Sequence, residues 1–202
     1  MIGIVDLGMG NLESVRKAFA ILDLDARRVN TPAEIGACDR LVLPGVGAFG
    51  QAMESLQNLD LRAPLDRYVE SGRPILGICL GMQLMLDSSC EHGHHAGLGW
   101  IRGDVRRFDS SVRIPHIGWN TITRAEQARL FEGIPQSAHF YFVQSFYVKP
   151  IDASVVSGRT DYGISFAAAI ESGNLFGVQF HPEKSQREGL RLLANFGRLP
   201  CS

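Results

Sequence analysis

Residues 2–7 form a nearly unbroken apolar run, which reads as a strand buried on both faces. Leu12, Val15, Phe19 and Leu22 then recur at helical spacing, with Asn11 placed to cap their helix. A short strand is expected over residues 26–30, followed by Thr31-Pro32-Ala33-Glu34, a capping box with proline at the first helical position. Leu41-Val42-Leu43 is a second buried run, opening into the glycine-rich stretch Pro44-Gly45-Val46-Gly47-Ala48-Phe49-Gly50. Helical patterns follow around residues 53–56 and 65–69, and Gly72 closes the second. Ile75-Leu76-Gly77-Ile78 is again a strand. This strand–helix alternation predicts an α/β fold: a single open, twisted, mostly parallel sheet with helices on both faces.

The rhythm changes in the second half. Between Trp100 and Phe180 the apolar runs are short: residues 141–143, 155–157, 165–170 and 175–180. Glycines and polar residues separate them, so they are expected as antiparallel additions to the same sheet. Ser185-Gln186-Arg187-Glu188 reads as another capping box, opening a last helix through Leu190, Leu193 and Phe196. No repeat or linker divides the chain, and one domain over residues 1–202 is expected.

Two places in this pattern carry chemistry. The strand of residues 75–78 runs into Cys79 and then into a helix-like pattern, with Gly77 and Gly81 flanking the thiol. That is a strand–turn–helix elbow, and the helix N-terminus favours the thiolate, the nucleophilic form. Near the other end, Phe180-His181-Pro182-Glu183 places a histidine and a carboxylate two residues apart. On extended backbone the two side chains share one face, and Pro182 biases His181 away from helix. Nucleophile, proton-moving histidine and orienting acid are thus Cys79, His181 and Glu183. Open α/β sheets gather reactive groups beyond the carboxyl ends of their parallel strands, which sets residues 45–47 beside the thiol. Acyl transfer needs amide donors for the developing oxyanion: Leu80 is one candidate, and Gly45, Val46 and Gly47 supply the other.

Composition narrows the field. A net charge of −1 with mixed signs provides no basic field for nucleic acid and no membrane-surface patch. No apolar run approaches the length that spans a bilayer, and the first residues, lacking a basic stretch or cleavage site, are not expected to be a targeting segment. Four widely spaced cysteines point to a reducing, cytoplasmic setting. Residues 45–50 match G-x-G-x-x-G, but their strand is not the first and no acid follows at the right distance, so no nucleotide cofactor is expected. Cys90-Glu91-His92-Gly93-His94-His95 is too cramped for a tetrahedral metal site and reads as a solvated loop. His116 and His139 are assigned structural roles. Trp119 and the aromatic set Phe140, Tyr141, Phe142, Phe146 and Tyr147 read as core, with an interface anchor as the alternative for Trp119.

Taken in order, Pro44-Gly45-Val46-Gly47, Gly77-Ile78-Cys79-Leu80-Gly81-Met82-Gln83 and Phe180-His181-Pro182-Glu183 make the chain resemble the class I glutamine amidotransferases. Gly8-Met9-Gly10-Asn11-Leu12, Pro115-His116-Ile117-Gly118-Trp119-Asn120 and Lys184-Ser185 narrow the resemblance to the branch serving histidine biosynthesis. The resemblance implies glutamine as substrate, with amides near Val46 and Leu80 holding the oxyanion. It implies glutamine contacts from Gln83 and from Gln144, Ser145 and Phe146. It also implies release of ammonia to a separate cyclase subunit, a (β/α)8 barrel joined as a heterodimer, with Asn11, Trp119 and Lys184 at the contact. No cofactor or metal is implied. One position departs: Gln144 stands where the family often has histidine, and an amide cannot carry a proton-linked charge. Three alternatives stay open. One is a paralogous glutaminase feeding another sugar-nucleotide amination, and another is a catalytically silent module on the same fold. The third is a stand-alone thiol hydrolase, although its usual order of nucleophile, acid, histidine is not the order here.

Overall fold

The computed structural model describes residues 1–201. The chain opens with β1 (Ile2–Val5), α1 (Leu12–Ile21), β2 (Ala26–Val29), α2 (Pro32–Ala37), β3 (Arg40–Leu43), α3 (Phe49–Asn58), α4 (Arg62–Glu70), β4 (Ile75–Ile78) and α5 (Leu80–Leu84). It continues with β5 (Leu86–Ser89), β6 (His95–Ala96), β7 (Ile101–Arg107), β8 (His116–Thr121), β9 (Thr123–Arg124), β10 (His139–Gln144) and β11 (Phe146–Pro150). β12 (Val156–Tyr162), β13 (Ile164–Ser172), β14 (Leu175–Val178) and α6 (Gln186–Arg198) complete it.

The main sheet runs β2-β1-β3-β4-β14-β13-β11-β7-β5-β6. From β2 to β14 every neighbour is parallel, and β13 then turns the sheet antiparallel. Strand alternation splits the core in two. Leu41 and Leu43 face one side with Phe49, Leu56, Leu65 and Tyr68 from α3 and α4. Val42 faces the other with Phe19 of α1 and Leu193 and Phe196 of α6. Helices therefore cover both faces, because the interior strands β1, β3, β4 and β14 are apolar on both, while the edge strand β2 exposes Arg27 and Arg28.

Local signals set the first half as expected. Asn11 Oδ1 accepts from Ser14 N–H at 3.3 Å, and the Thr31–Glu34 capping box is formed in both directions. Three expectations need correction. The strand expected over residues 175–180 as an antiparallel addition is β14, which lies parallel to β4 inside the sheet. Among the described residues the strand carrying residues 141–143 joins no edge of the main sheet: β10 pairs with β8, in a separate antiparallel ribbon. Ser185 precedes α6 but does not cap it. Its hydroxyl instead accepts from Tyr141 N–H at 3.0 Å and donates to His181 C=O at 2.7 Å. Long-range demands of buried backbone groups outcompete the local cap here.

Candidate active site

β4 and β14 lie side by side in parallel register, Ile78 opposite Val178. The residues just past their ends, Cys79 and Gln179 to His181, therefore emerge together although about a hundred positions separate them in sequence. Cys79 N–H donates to Val178 C=O at 2.8 Å, which ties the elbow to the neighbouring strand. The cysteine backbone has φ 53° and ψ −107°, a left-handed conformation costly for a residue with a Cβ. The glycines flanking it serve close approach: a Cβ on Gly81 would sit 1.7 Å from Leu43 O, and one on Gly77 would sit 2.6 Å from Met82 N. The strained turn is thus held between β3 and its own helix.

His181 has φ −100° and ψ 96°, extended as expected, and its N–H donates to Tyr141 C=O at 2.9 Å. Pro182–Lys184 is a 3-10 turn, so Glu183 does not share an extended strand face with the histidine, contrary to the sequence reading. The turn brings them together nonetheless. His181 Nδ1 is 2.8 Å from Glu183 Oε1, with side chains only 3% and 2% exposed. Among the described residues His181 Nε2 and Glu183 Oε2 have no hydrogen-bond partner. Burial, the largest single influence, disfavours the imidazolium; the interactions with Cys79 and then Glu183 outweigh it and push the His181 pKa up to about 9. His181 is accordingly protonated at neutral pH, beside the sulfur.

Two further amides reach this centre. Gln179, fully buried, places Nε2 3.6 Å from Cys79 Sγ. Gln83 Nε2 lies 3.1 Å from Gln179 Oε1 and 3.3 Å from Phe146 O. Gln179 was not foreseen; its signal is a lone amide within the apolar run of residues 175–180.

A cleft of about 710 Å³ opens over the thiol. Val46, Gly47, Cys79, Leu80, Gln83, Gln144, Ser145 and Phe146 line it, so the structure gathers the expected oxyanion and substrate residues in one place. Gly45 does not line the cleft. It lets the loop pack on the elbow, since a Cβ there would meet Leu80 Cβ at 2.8 Å. The segment read as a solvated loop borders the same cleft through Cys90, Glu91 and His92, and Glu91 Oε2 accepts from Phe49 N–H at 2.6 Å. Arg107 from β7 completes that wall. Behind it, His116 is buried and stacks on Phe142 and Tyr162, with ring centroids 4.9 and 4.0 Å away. Burial lowers its pKa, so it sits neutral in the core. Gln144 Nε2 makes a long 3.5 Å contact with His116 Nδ1, and Gln144 Oε1 has no partner among the described residues.

Of the residues expected at a subunit contact, two meet through Tyr141. Trp119, 46% exposed, lies edge-on to Tyr141 with centroids 5.9 Å apart, and Lys184 Nζ stands 5.9 Å from the same ring. Ile117, 59% exposed, extends this face. The core assignment thus fails for Trp119, whose strand turns it outward, while Phe140 and Phe142 are buried. Asn11 lies apart, in a cleft with Asp6, Glu13 and Arg28.

A cysteine on a strained elbow next to a histidine–carboxylate pair is the arrangement that thiol-dependent acyl transfer calls for. The profile of the family described as Glutamine amidotransferase class-I matches residues 3–198, and the chain belongs to that family. Within it, the chain is 49% identical over 198 residues to "Imidazole glycerol phosphate synthase subunit HisH" of Desulfitobacterium hafniense (strain DSM 10664 / DCB-2), covering 98% of this chain and 94% of that one. The protein of the same name from Chlorobium luteolum is 50% identical over 198 residues, covering 97% of this chain and 98% of the other. Among solved structures, a "Crystal structure of glutamine amidotransferase" superposes with a TM-score of 0.77 at 20% identity, covering 96% of both chains, which establishes the shared fold. Among the described residues no helix is long and apolar enough to cross a membrane.

Proposed function

We propose that this chain is the glutaminase subunit of an imidazole glycerol phosphate synthase in histidine biosynthesis. The observation that carries the reading is the buried His181–Glu183 pair beside the Cys79 elbow. The Cys79 thiolate adds to the side-chain carbonyl carbon of glutamine. Amides of Leu80 and of the 46–47 loop hold the resulting oxyanion. His181, already protonated, gives its proton to the departing nitrogen, the C–N bond breaks and ammonia leaves. Water then adds to the thioester with His181 taking its proton; glutamate departs and the thiolate returns. Glu183 keeps the imidazole oriented and balances its charge throughout. Gln83, Gln144, Ser145 and Phe146 position the substrate.

Ammonia is useful only while unprotonated, so it must leave under cover. We assign the exposed face of Ile117, Trp119, Tyr141 and Lys184 to a cyclase partner, a (β/α)8 barrel, with Asn11 at the margin of the contact. A polar rim around aromatic anchors is the composition of such a contact. Cys79→Ala is expected to abolish glutamine-dependent product formation in the reconstituted synthase while sparing synthesis from added ammonium salts. Retained glutamine-dependent turnover would remove Cys79 from the role.

A further inference from the structure

A polar side chain with no exposure needs a reason to be buried, and Gln179 is such a side chain at the reacting sulfur. Its orientation follows from the groups around it. The carbonyl of Phe146 can only accept, so the Gln83 end facing it, 3.3 Å away, must be the amide nitrogen. That same nitrogen lies 3.1 Å from Gln179, which must therefore present its oxygen there. The opposite end of Gln179, 3.6 Å from Cys79 Sγ, is then N–H. Reversing either amide would set donor against donor or acceptor against acceptor in a dry interior. A backbone carbonyl on β11 thus dictates, through two side chains, that the sulfur receives a hydrogen bond. A sulfur held as acceptor is favoured as thiolate over thiol.

We infer that Gln179 is a thiolate-stabilising residue of this site, donating its amide N–H to Cys79 Sγ, with Gln83 and the Phe146 carbonyl as the positioning elements that fix its direction. The inference rests on the reading of Cys79 as nucleophile, and it deepens that reading: the sulfur meets the His181 imidazole on one side and a neutral amide donor on another. The neutral donor matters because it survives when His181 gives up its proton to the leaving nitrogen. It stands in the same place when the thiolate adds and when it departs, alongside the imidazolium that His181 regains from the attacking water.

The test uses the full chain and iodoacetamide as probe, following Cys79 alkylation by peptide-resolved mass spectrometry so that the exposed Cys90 and Cys201 do not interfere. In Gln179→Met, alkylation of Cys79 at pH 7 is expected to fall about tenfold, the effect of one lost charge-assisted hydrogen bond, and to recover at pH 9.5, where bulk hydroxide supplies the thiolate. Glutamine turnover falls in kcat with KM nearly unchanged. Gln179→Glu is expected to lose more alkylation at pH 7, since it replaces the donor by a like charge. Alkylation at pH 7 within twofold of the unsubstituted chain in folded Gln179→Met, or a loss that high pH does not restore, would overturn the inference. Should neither Gln179 variant fold, Gln83→Met removes the element fixing the amide's direction. A fall of about threefold, restored at high pH, supports the inference, and an unchanged rate overturns it. Fast alkylation of Cys79 in a chain that hydrolyses no glutamine would sink the glutaminase reading while leaving this one standing.

Discussion

His181 Nδ1 and Glu183 Oε1 stand 2.8 Å apart in a site closed to solvent on both sides of the pair. Glu183→Gln keeps the size and an acceptor but removes the charge. We expect kcat for glutamine to fall by about 10²-fold or more, with the fold retained. The pair also sets a pH dependence of stability. The folded-state pKa of His181 lies above its ordinary value of 6.5, at about 9. Its contribution is therefore fully present below pH 6.5 and is lost as pH rises through about 9. The stability gap between the native chain and Glu183→Gln, followed by urea unfolding, should be widest below pH 6.5 and narrow toward pH 9. A gap constant across that range would contradict the assignment.

Cys79 supports the same imidazolium. Cys79→Ser, which removes the sulfur whose interactions raise the His181 pKa, should move the His181 titration, read from its ring proton shifts by NMR, down from about 9.

Gly81→Ala places a methyl group where Leu43 O already lies, 1.7 Å from the new carbon. Backbone cannot rotate away as a side chain would. A loss of about 3 kcal/mol in unfolding free energy is expected, and a thermal midpoint matching the native chain would show that the elbow is looser than its geometry indicates.

Ser185 joins the His181 segment to β10 through two hydrogen bonds. Ser185→Ala leaves a buried N–H and a buried carbonyl with one partner fewer, at a cost of about 2 kcal/mol. Calorimetry should register this, and turnover should fall several-fold as His181 loosens.

Trp119→Ala should leave the stability of the free chain within about 0.5 kcal/mol, because the ring is half exposed. Binding to the cyclase, measured by calorimetric titration, should weaken by about 30-fold. Unchanged affinity would move the contact elsewhere.

The parallel half of the fold was legible because its signals are local: buried apolar runs, Asn11 and Thr31 as caps, glycine beside Cys79. The elbow was legible for the same reason. Glu183 was found by spacing, yet the backbone that delivers it is a 3-10 turn rather than a strand, since Pro182 permits either. What stayed hidden depends on distant partners. Gln179 acquires its role only when β14 lies against β4, and Ser185 only when β10 arrives beside it. The β8–β10 ribbon looked like more sheet because alternation fixes which face a residue takes, not which strand it pairs with.

β14 is made about a hundred residues after β4, yet it occupies an interior slot of the sheet, between β4 and β13. A nascent chain that has not yet reached Gln179 has the cysteine turn but neither the imidazole nor the amide that flank it. Glutamine cleavage cannot begin before β14 has taken its slot. A half-made copy spills no nitrogen, and the thiol waits unarmed until the late strand threads home.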